Sequence, residues 1–243
     1  MHKIKAMLGT VVVAAGLSLA SAVPAHADQP TVVFDYALHF GIGSTLSDST
    51  SFSTLNVAAK WRQSSAEGIC SETGGAYQSG VGYLDQWSSI RTFDAFPERA
   101  DSQVEMRVSP TDCSGDSVDY GYDSYSWQLT QESAGSYSNG WGTSSCNCWS
   151  GGTVRRSTGA GQSMTYTRCT YNGFGLVTDK APGRGSATVY VDGVKKGTLN
   201  DAASVVVNRV VGFVYYGAPY PACHTVQVVV NSGRVDIDAF VTS

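Results

Sequence analysis

Histidine is nearly missing from this 243-residue chain, basic residues never cluster in it, and no stretch of it shows helical periodicity. Each shortage removes a class of function. Of the four histidines, His2 and His26 fall in a leader segment, which leaves His39 and His224, far apart and on different expected domains. A Ser-His-Asp constellation would need one of them beside an activated serine. The nearest match to a nucleophile elbow, Gly161-Gln-Ser-Met-Thr165 around Ser163, lacks the closing glycine and a strand-turn-helix setting. Without a Lys/Arg stripe to track phosphates, nucleic acid is not expected as a partner. Beyond the leader no run is long and apolar enough to span a bilayer, so no membrane insertion is expected. The run Val205–Tyr216 is interrupted by Asn208 and Arg209 and reads as a strand. There is also no heptad, internal repeat or low-complexity linker.

What is present begins with an export signal. Met1-His-Lys-Ile-Lys5 is basic, Met7 to Ala20 is almost wholly apolar, and Ala25-His-Ala27 is a small-x-small cleavage signal. The mature chain then starts at Asp28 and holds 216 of the 243 residues. Of the 16 Lys and Arg, Lys3 and Lys5 leave with the leader, so 14 face 20 acids, a net charge of −6. No sorting motif precedes Ser243 and no cysteine sits at the cleavage point to take a lipid, so a released, extracellular protein is expected. Charged residues make up only 15% of the chain while Gly, Ser, Thr and Tyr are plentiful, the balance of an exported β protein with many tight turns.

The strongest local pattern lies near the C-terminus. Gly185 to Val191 alternates, Asp192-Gly193 turns, and Val194 to Leu199 returns. Asp-Gly between alternating runs is a hairpin signal, because a type I′ turn needs φ > 0 at both central residues. His224–Val230 and Arg234–Val241 add two strands of period two. Across residues 133–243 about eight strands are expected: 152–157, 163–169, 173–178, 186–191, 194–199, 205–216, 223–230 and 235–241. Eight antiparallel strands in two sheets is a jelly-roll count. Alternation assigns its core to Met164, Tyr166, Ala187, Val189, Val191, Val226, Val228, Val230, Val235, Ile237, Ala239 and Val241. Residues 28–132 read as a first sandwich, with strands at 31–41, at Leu55-Val57-Ala59-Trp61, at Val104-Met106-Val108 and near Trp127 and Leu129. The fold class is all-β.

All six cysteines, Cys70, Cys113, Cys146, Cys148, Cys169 and Cys223, lie in the mature part, and an even count in an exported chain argues for disulfides. Cys70 and Cys113 share the first half and are expected to pair, closing a loop that contributes roughly 4 kcal/mol in the chain-entropy model. Cys169 and Cys223 sit in or beside strands and are expected to pair. That leaves Cys146 for Cys148, with crossed pairing among these four open. The competing chemistry is a metal site of Cys146, Cys148, Cys169, Cys223 and His224, but the usual Cys-x-x-Cys knuckle is absent.

The segments Tyr137…Trp141…Trp149-Ser-Gly-Gly-Thr-Val-Arg155, Lys180-Ala-Pro-Gly-Arg-Gly-Ser-Ala-Thr-Val-Tyr-Val-Asp-Gly193, His224-Thr-Val226 and Val235-Asp-Ile-Asp-Ala-Phe240 resemble a jelly-roll module of secreted actinobacterial proteins. That module is similar to the galactose-binding-like fold of carbohydrate-binding modules. Upstream, Val57-Ala-Ala-Lys-Trp61, Gly68-Ile-Cys70 and Arg107-Val-Ser-Pro-Thr-Asp-Cys-Ser-Gly115 resemble a fibronectin type III or immunoglobulin-like domain, departing from its pattern at 74–85. The resemblance implies an extracellular binding or presentation protein, with sugars as ligands and no catalytic residue. It also implies that a structural calcium ion is possible, although no Asp-rich loop identifies its site.

Asp236 and Asp238, two apart on one strand, would share a face about 7 Å apart by strand rise. They invite comparison with paired glycosidase carboxylates, against the reading of a solvated outer strand face. Stacking on a sugar needs exposed aromatic faces with polar groups at the edge. Tyr171 and Phe174 between strands, Tyr215, Tyr216 and Tyr220 before Cys223, and Arg184 as a donor form the expected ligand-binding set. The expected partner is an extracellular glycan or cell-wall polymer, or else a secreted or cell-surface protein. No catalysis is expected, the minor alternative being a hydrolase with an unrecognised site.

Overall fold

The computed structural model describes residues 29–48, 52–125, 127–170, 173–216 and 222–243. The leader, Tyr171 and Tyr220 lie outside them. Among the described residues the only helical pieces are two 3-10 turns, Glu132–Ala134 and Ser150–Gly152; everything else regular is strand.

The first sandwich pairs two sheets. In one, β1 (Thr31–Phe40) and β2 (Ser47–Asp48) line one edge of β3 (Ser53–Ser64). In the same sheet β6 (Phe93–Arg99) pairs with β3 on the other edge. The facing sheet has the order β5 (Gly82–Trp87), β4 (Ile69–Gln78), β7 (Gln103–Asp112), β8 (Tyr120–Tyr125). Alternation puts Leu55, Val57, Ala59 and Trp61 of β3 and Val104, Met106 and Val108 of β7 inside, as their spacing predicts. Burying side chains of this size contributes roughly 2 kcal/mol each. Periodicity missed β4, β5, β6 and β8; in β4 Gly74-Gly75 breaks the apolar pattern. Gly74 is there for space: a Cβ would fall 2.2 Å from the Trp87 ring, whose indole stacks on Trp61 at 5.6 Å.

The second half is the expected antiparallel jelly-roll sandwich. One sheet runs β10 (Ser136–Tyr137), β13 (Ser163–Thr170), β18 (Ala222–Ser232), β15 (Ser186–Val191), β16 (Val194–Asn200). Its partner runs β17 (Val207–Tyr216), β14 (Gly173–Lys180), β20 (Ala239–Thr242), β9 (Gln128–Gln131). A small sheet of β11 (Gly142–Ser145), β12 (Thr153–Ser157) and β19 (Val235–Ile237) completes it. The turn between β15 and β16 has φ of 52° at Asp192 and 77° at Gly193, the positive pair that the Asp-Gly signal predicts. Strand β9, upstream of residue 133, hydrogen-bonds to β20, so this sheet takes its fourth strand from the segment assigned to the first sandwich.

The sheet of β17, β14, β20 and β9 is buried on both faces. Phe174, Leu176, Phe213 and Phe240 pack into the jelly-roll core with Met164, Val189 and Val228. Val177, Val211, Ala239 and Val241 join the core of the first sandwich, with Phe40, Leu46 and Trp127. Ala239 and Val241 therefore face the opposite side from the one their alternation predicts. The strand breaks at Asp238, between β19 and β20, and one unpaired residue reverses the parity of all that follow. The halves also share backbone pairing at the edge of β17: Gly43 N–H donates to Val211 at 2.8 Å, Val211 N–H to Ser44 at 2.8 Å and Leu46 N–H to Arg209 at 2.9 Å. An open edge is thereby closed by the other half of the chain.

Three disulfides form: Cys70–Cys113, Cys146–Cys148 and Cys169–Cys223. The uncrossed pairing holds, and with every sulfur bridged no thiolate set is left for the cysteine metal site.

Candidate functional site

The outer face of the sheet β5-β4-β7-β8 carries an open groove of about 490 Å3. Strand alternation builds it. Residues Thr73, Gly75 and Tyr77 of β4 and Glu105, Arg107 and Ser109 of β7 point away from the core, and Tyr83 and Gln86 do so from β5. One row across the sheet reads Gln86, Gly75, Arg107, Gly121 by register. Two glycines in that row leave a floor without side chains on either side of Arg107. The neighbouring register pair, Tyr77 and Tyr83, packs edge to face at 5.4 Å. Both rings are open to solvent, at 44% and 65% exposure.

The opposite wall is polar and held in place before any ligand arrives. Arg107 donates to Glu105 and, at 3.0 Å, to Asp119, while the Ser109 hydroxyl donates to Asp119 at 2.9 Å. Glu105 and Asp119 raise the Arg107 guanidinium above its ordinary value, so it stays charged. The result is an apolar platform beside a fixed array of donors and acceptors. Periodicity overlooked these residues because β4 and β5 lack an apolar stripe; the visible trace was two tyrosines flanking a glycine-rich turn.

The residues expected from the sequence to bind ligand are not brought together as one open surface. Phe174 is a core side chain, 4% exposed, against the exposure that stacking needs. Arg184 is largely buried in an ion pair with Asp236, whose other partner is Arg234 at 2.8 Å. Tyr216 is an inter-sandwich residue: its hydroxyl donates to the Phe40 carbonyl at 2.6 Å and its ring stacks on His39 at 4.0 Å. Tyr215 is half-buried, with the Lys196 ammonium 5.0 Å from its ring. His224, on the central strand β18 rather than at a sheet edge, bonds Asp192 at 2.5 Å through Nδ1 beside the hairpin turn.

Asp236 and Asp238 are not on a solvated face; both are fully buried, as are Asp179 and Asp201. Burial raises all four carboxyls, Asp201 to about 7 and Asp238 to about 8, the latter helped by nearby Asp179. They serve the backbone and each other's partners. Asp201 accepts from Asp236 N–H at 2.9 Å, Asp179 from the Trp149 indole, and Asp238 from Ser150 N–H at 2.9 Å.

Next to Asp238 lies a second cluster. Gln131 pairs with Ala239 across β9 and β20, which sets Glu132 at the same break. Thr153 donates to Glu132 at 2.6 Å, and a Cβ on Gly151 would fall 2.6 Å from Gln131 Oε1. One buried oxygen each of Gln131, Glu132, Ser150 and Asp238 has no hydrogen-bond partner. Among the described residues no three His, Cys, Asp or Glu gather as metal ligands; this cradle mixes two carboxylates with an amide and a hydroxyl. An all-oxygen set is the donor chemistry of a hard cation such as calcium.

No protein-family model matches the chain, and no curated protein sequence matches it. Solved structures align with parts of the chain. The catalytic domain of a GH87 alpha-1,3-glucanase in complex with nigerose aligns over 48% of this chain and 28% of its own length, at 15% identity and a TM-score of 0.35. The module CsCBM6-3 from Clostridium stercorarium, solved with cellobiose, aligns over 48% of this chain and 92% of its own, at 14% identity and a TM-score of 0.36. The CBM36-1 domain of a multidomain xylanase from the hindgut metagenome of Trinervitermes trinervoides aligns over 48% and 96%, at 16% identity and a TM-score of 0.33. Similarities of this size define no family for the chain and carry no ligand over to it.

Proposed function

We propose that this is a secreted protein that binds a glycan without transforming it, and that the glycan lies in the groove on the β5-β4-β7-β8 sheet. The observation that carries the reading is the exposed Tyr77–Tyr83 pair beside the prearranged Arg107, Glu105, Asp119 and Ser109. A pyranose presents an apolar face and a rim of hydroxyls, and it needs those two kinds of surface side by side. A protein partner would be better served by a flatter apolar patch. Binding is favoured over catalysis because Asp179, Asp201, Asp236 and Asp238 are sealed inside, while Asp119 and Glu105 are committed to Arg107. Export is supported by the leader sequence and three disulfides, and no helix among the described residues is long and apolar enough to cross a membrane.

The test is retention on insoluble polysaccharides and cell-wall preparations, wild type against Tyr77→Ala/Tyr83→Ala. Retention that falls at least tenfold in a folded variant supports the reading; equal retention removes the groove from it, and no retention of either protein turns attention to a protein partner.

The cradle of Gln131, Glu132, Ser150 and Asp238 would hold calcium, tying β9 to the β19–β20 break. Its role there is structural.

A further inference from the structure

The three disulfides differ in what they do for the fold. Cys70–Cys113 closes a separation of 43 residues and Cys169–Cys223 one of 54, while Cys146 and Cys148 are only two apart. Restriction of the unfolded chain grows with the logarithm of loop length, so the short bridge adds least to stability. Nor does it hold its turn in place. Cys146 N–H donates to Gly152 at 3.0 Å, Trp149 N–H to Cys146 at 3.2 Å, and Arg209 Nη2 to the Asn147 carbonyl at 2.6 Å. The turn belongs to no sheet, so opening the bridge breaks no strand ladder. By contrast, Cys169 and Cys223 are register partners on β13 and β18.

The sulfurs are also set up for exchange. Cys146 is exposed and Cys148 half-exposed. The backbone N–H of Cys148 donates to Cys146 Sγ at 3.1 Å. A donor aimed at one sulfur stabilises it as a thiolate, which makes it the better leaving group.

We propose that Cys146–Cys148 is a redox-active disulfide that exchanges with external thiols, while the other two bridges are structural. A thiolate from a small or protein thiol attacks Cys148 Sγ, the Cys146–Cys148 bond breaks, and Cys146 leaves as the thiolate held by the Cys148 N–H. A second thiol attacks the external sulfur of the mixed disulfide and frees Cys148. Two electrons pass to the protein, which becomes a dithiol, and the two external thiols become one disulfide. Run in reverse, the protein's bridge is regenerated from an external disulfide.

The experiment equilibrates the folded mature protein with graded thiol–disulfide buffers, alkylates it under native conditions, and locates the label by peptide mass spectrometry. Cys146 and Cys148 are expected to open together at a thiol concentration at least tenfold below that needed for the other four, with the unfolding midpoint unchanged. A Cys146→Ala/Cys148→Ala variant is expected to fold normally and to lose the rapid oxidation of added dithiol shown by wild type. Opening of this pair at the same or higher thiol concentration than Cys169–Cys223, opening only on unfolding, or unchanged dithiol oxidation by the variant would each overturn the proposal.

Discussion

Single residues decide both the stability and the reach of the first sandwich. Gly74 gives the Trp87 indole its place against Trp61, and a methyl group there has no free volume. Gly74→Ala is expected to cost about 2 kcal/mol, the usual range for overpacking, read as a lowered denaturation midpoint. Asp94 is the clearest titrating group. Burial and the neighbouring Asp85 push its carboxyl up to about 6. Because its folded value lies above the unfolded one, the native state binds more protons between about pH 4 and 6, and stability falls as pH rises through that window. Asp94→Asn keeps an oxygen for Ala95 N–H at 3.0 Å and removes the charge. It should stabilise by about 1–2 kcal/mol at pH 8 and not at pH 4, measured by denaturant titration at both.

Elements were legible in the sequence in proportion to their alternation. The Val-rich strands of the jelly roll and the Asp192-Gly193 turn follow their pattern closely, because one face of each is fully apolar. The β4–β5 region was not legible, since glycines there trade apolar contacts for ring space on one face and a bare groove floor on the other. Ala239 and Val241 misled for a related reason: period two assumes an unbroken strand, and the break at Asp238 cannot be seen in residue types. Asp236 lies ahead of the break, and its burial comes from the Arg184, Arg234 and Asp201 side chains that bond it. Near that break lie Gln131, Glu132, Ser150 and Asp238, each with a buried oxygen that has no hydrogen-bond partner. If they hold calcium, adding the ion at 100 times its dissociation constant should raise stability by about 2.7 kcal/mol. Chelation should reverse the gain, and Glu132→Gln/Asp238→Asn should abolish it. A thermal midpoint insensitive to calcium and chelator would count against the cradle.

At the scale of the molecule, a chain that reads as two sandwiches folds with a shared middle layer. Val177, Val211, Ala239 and Val241 belong to the first sandwich's core although they lie on the second sandwich's strands. Residues 43–46 complete an edge of the second sheet. Coupling of this kind is expected to give one calorimetric unfolding transition, with fluorescence and circular dichroism midpoints coincident. Two separated transitions would mean that the shared layer contributes little. The jelly-roll carboxylates and Phe174, Phe213 and Phe240 are buried, and the outer sheet of the first sandwich is the surface proposed for the ligand.

The most direct measurement is therefore an NMR titration of the oxidised protein with an oligosaccharide cut from whichever polymer retains it. Binding in the groove predicts shifts concentrated at Gly75, Tyr77, Tyr83, Arg107 and Gly121. Shifts confined to Tyr215 and the segment leading to Cys223, with the β4–β7 sheet silent, would contradict it and return the site to the jelly roll.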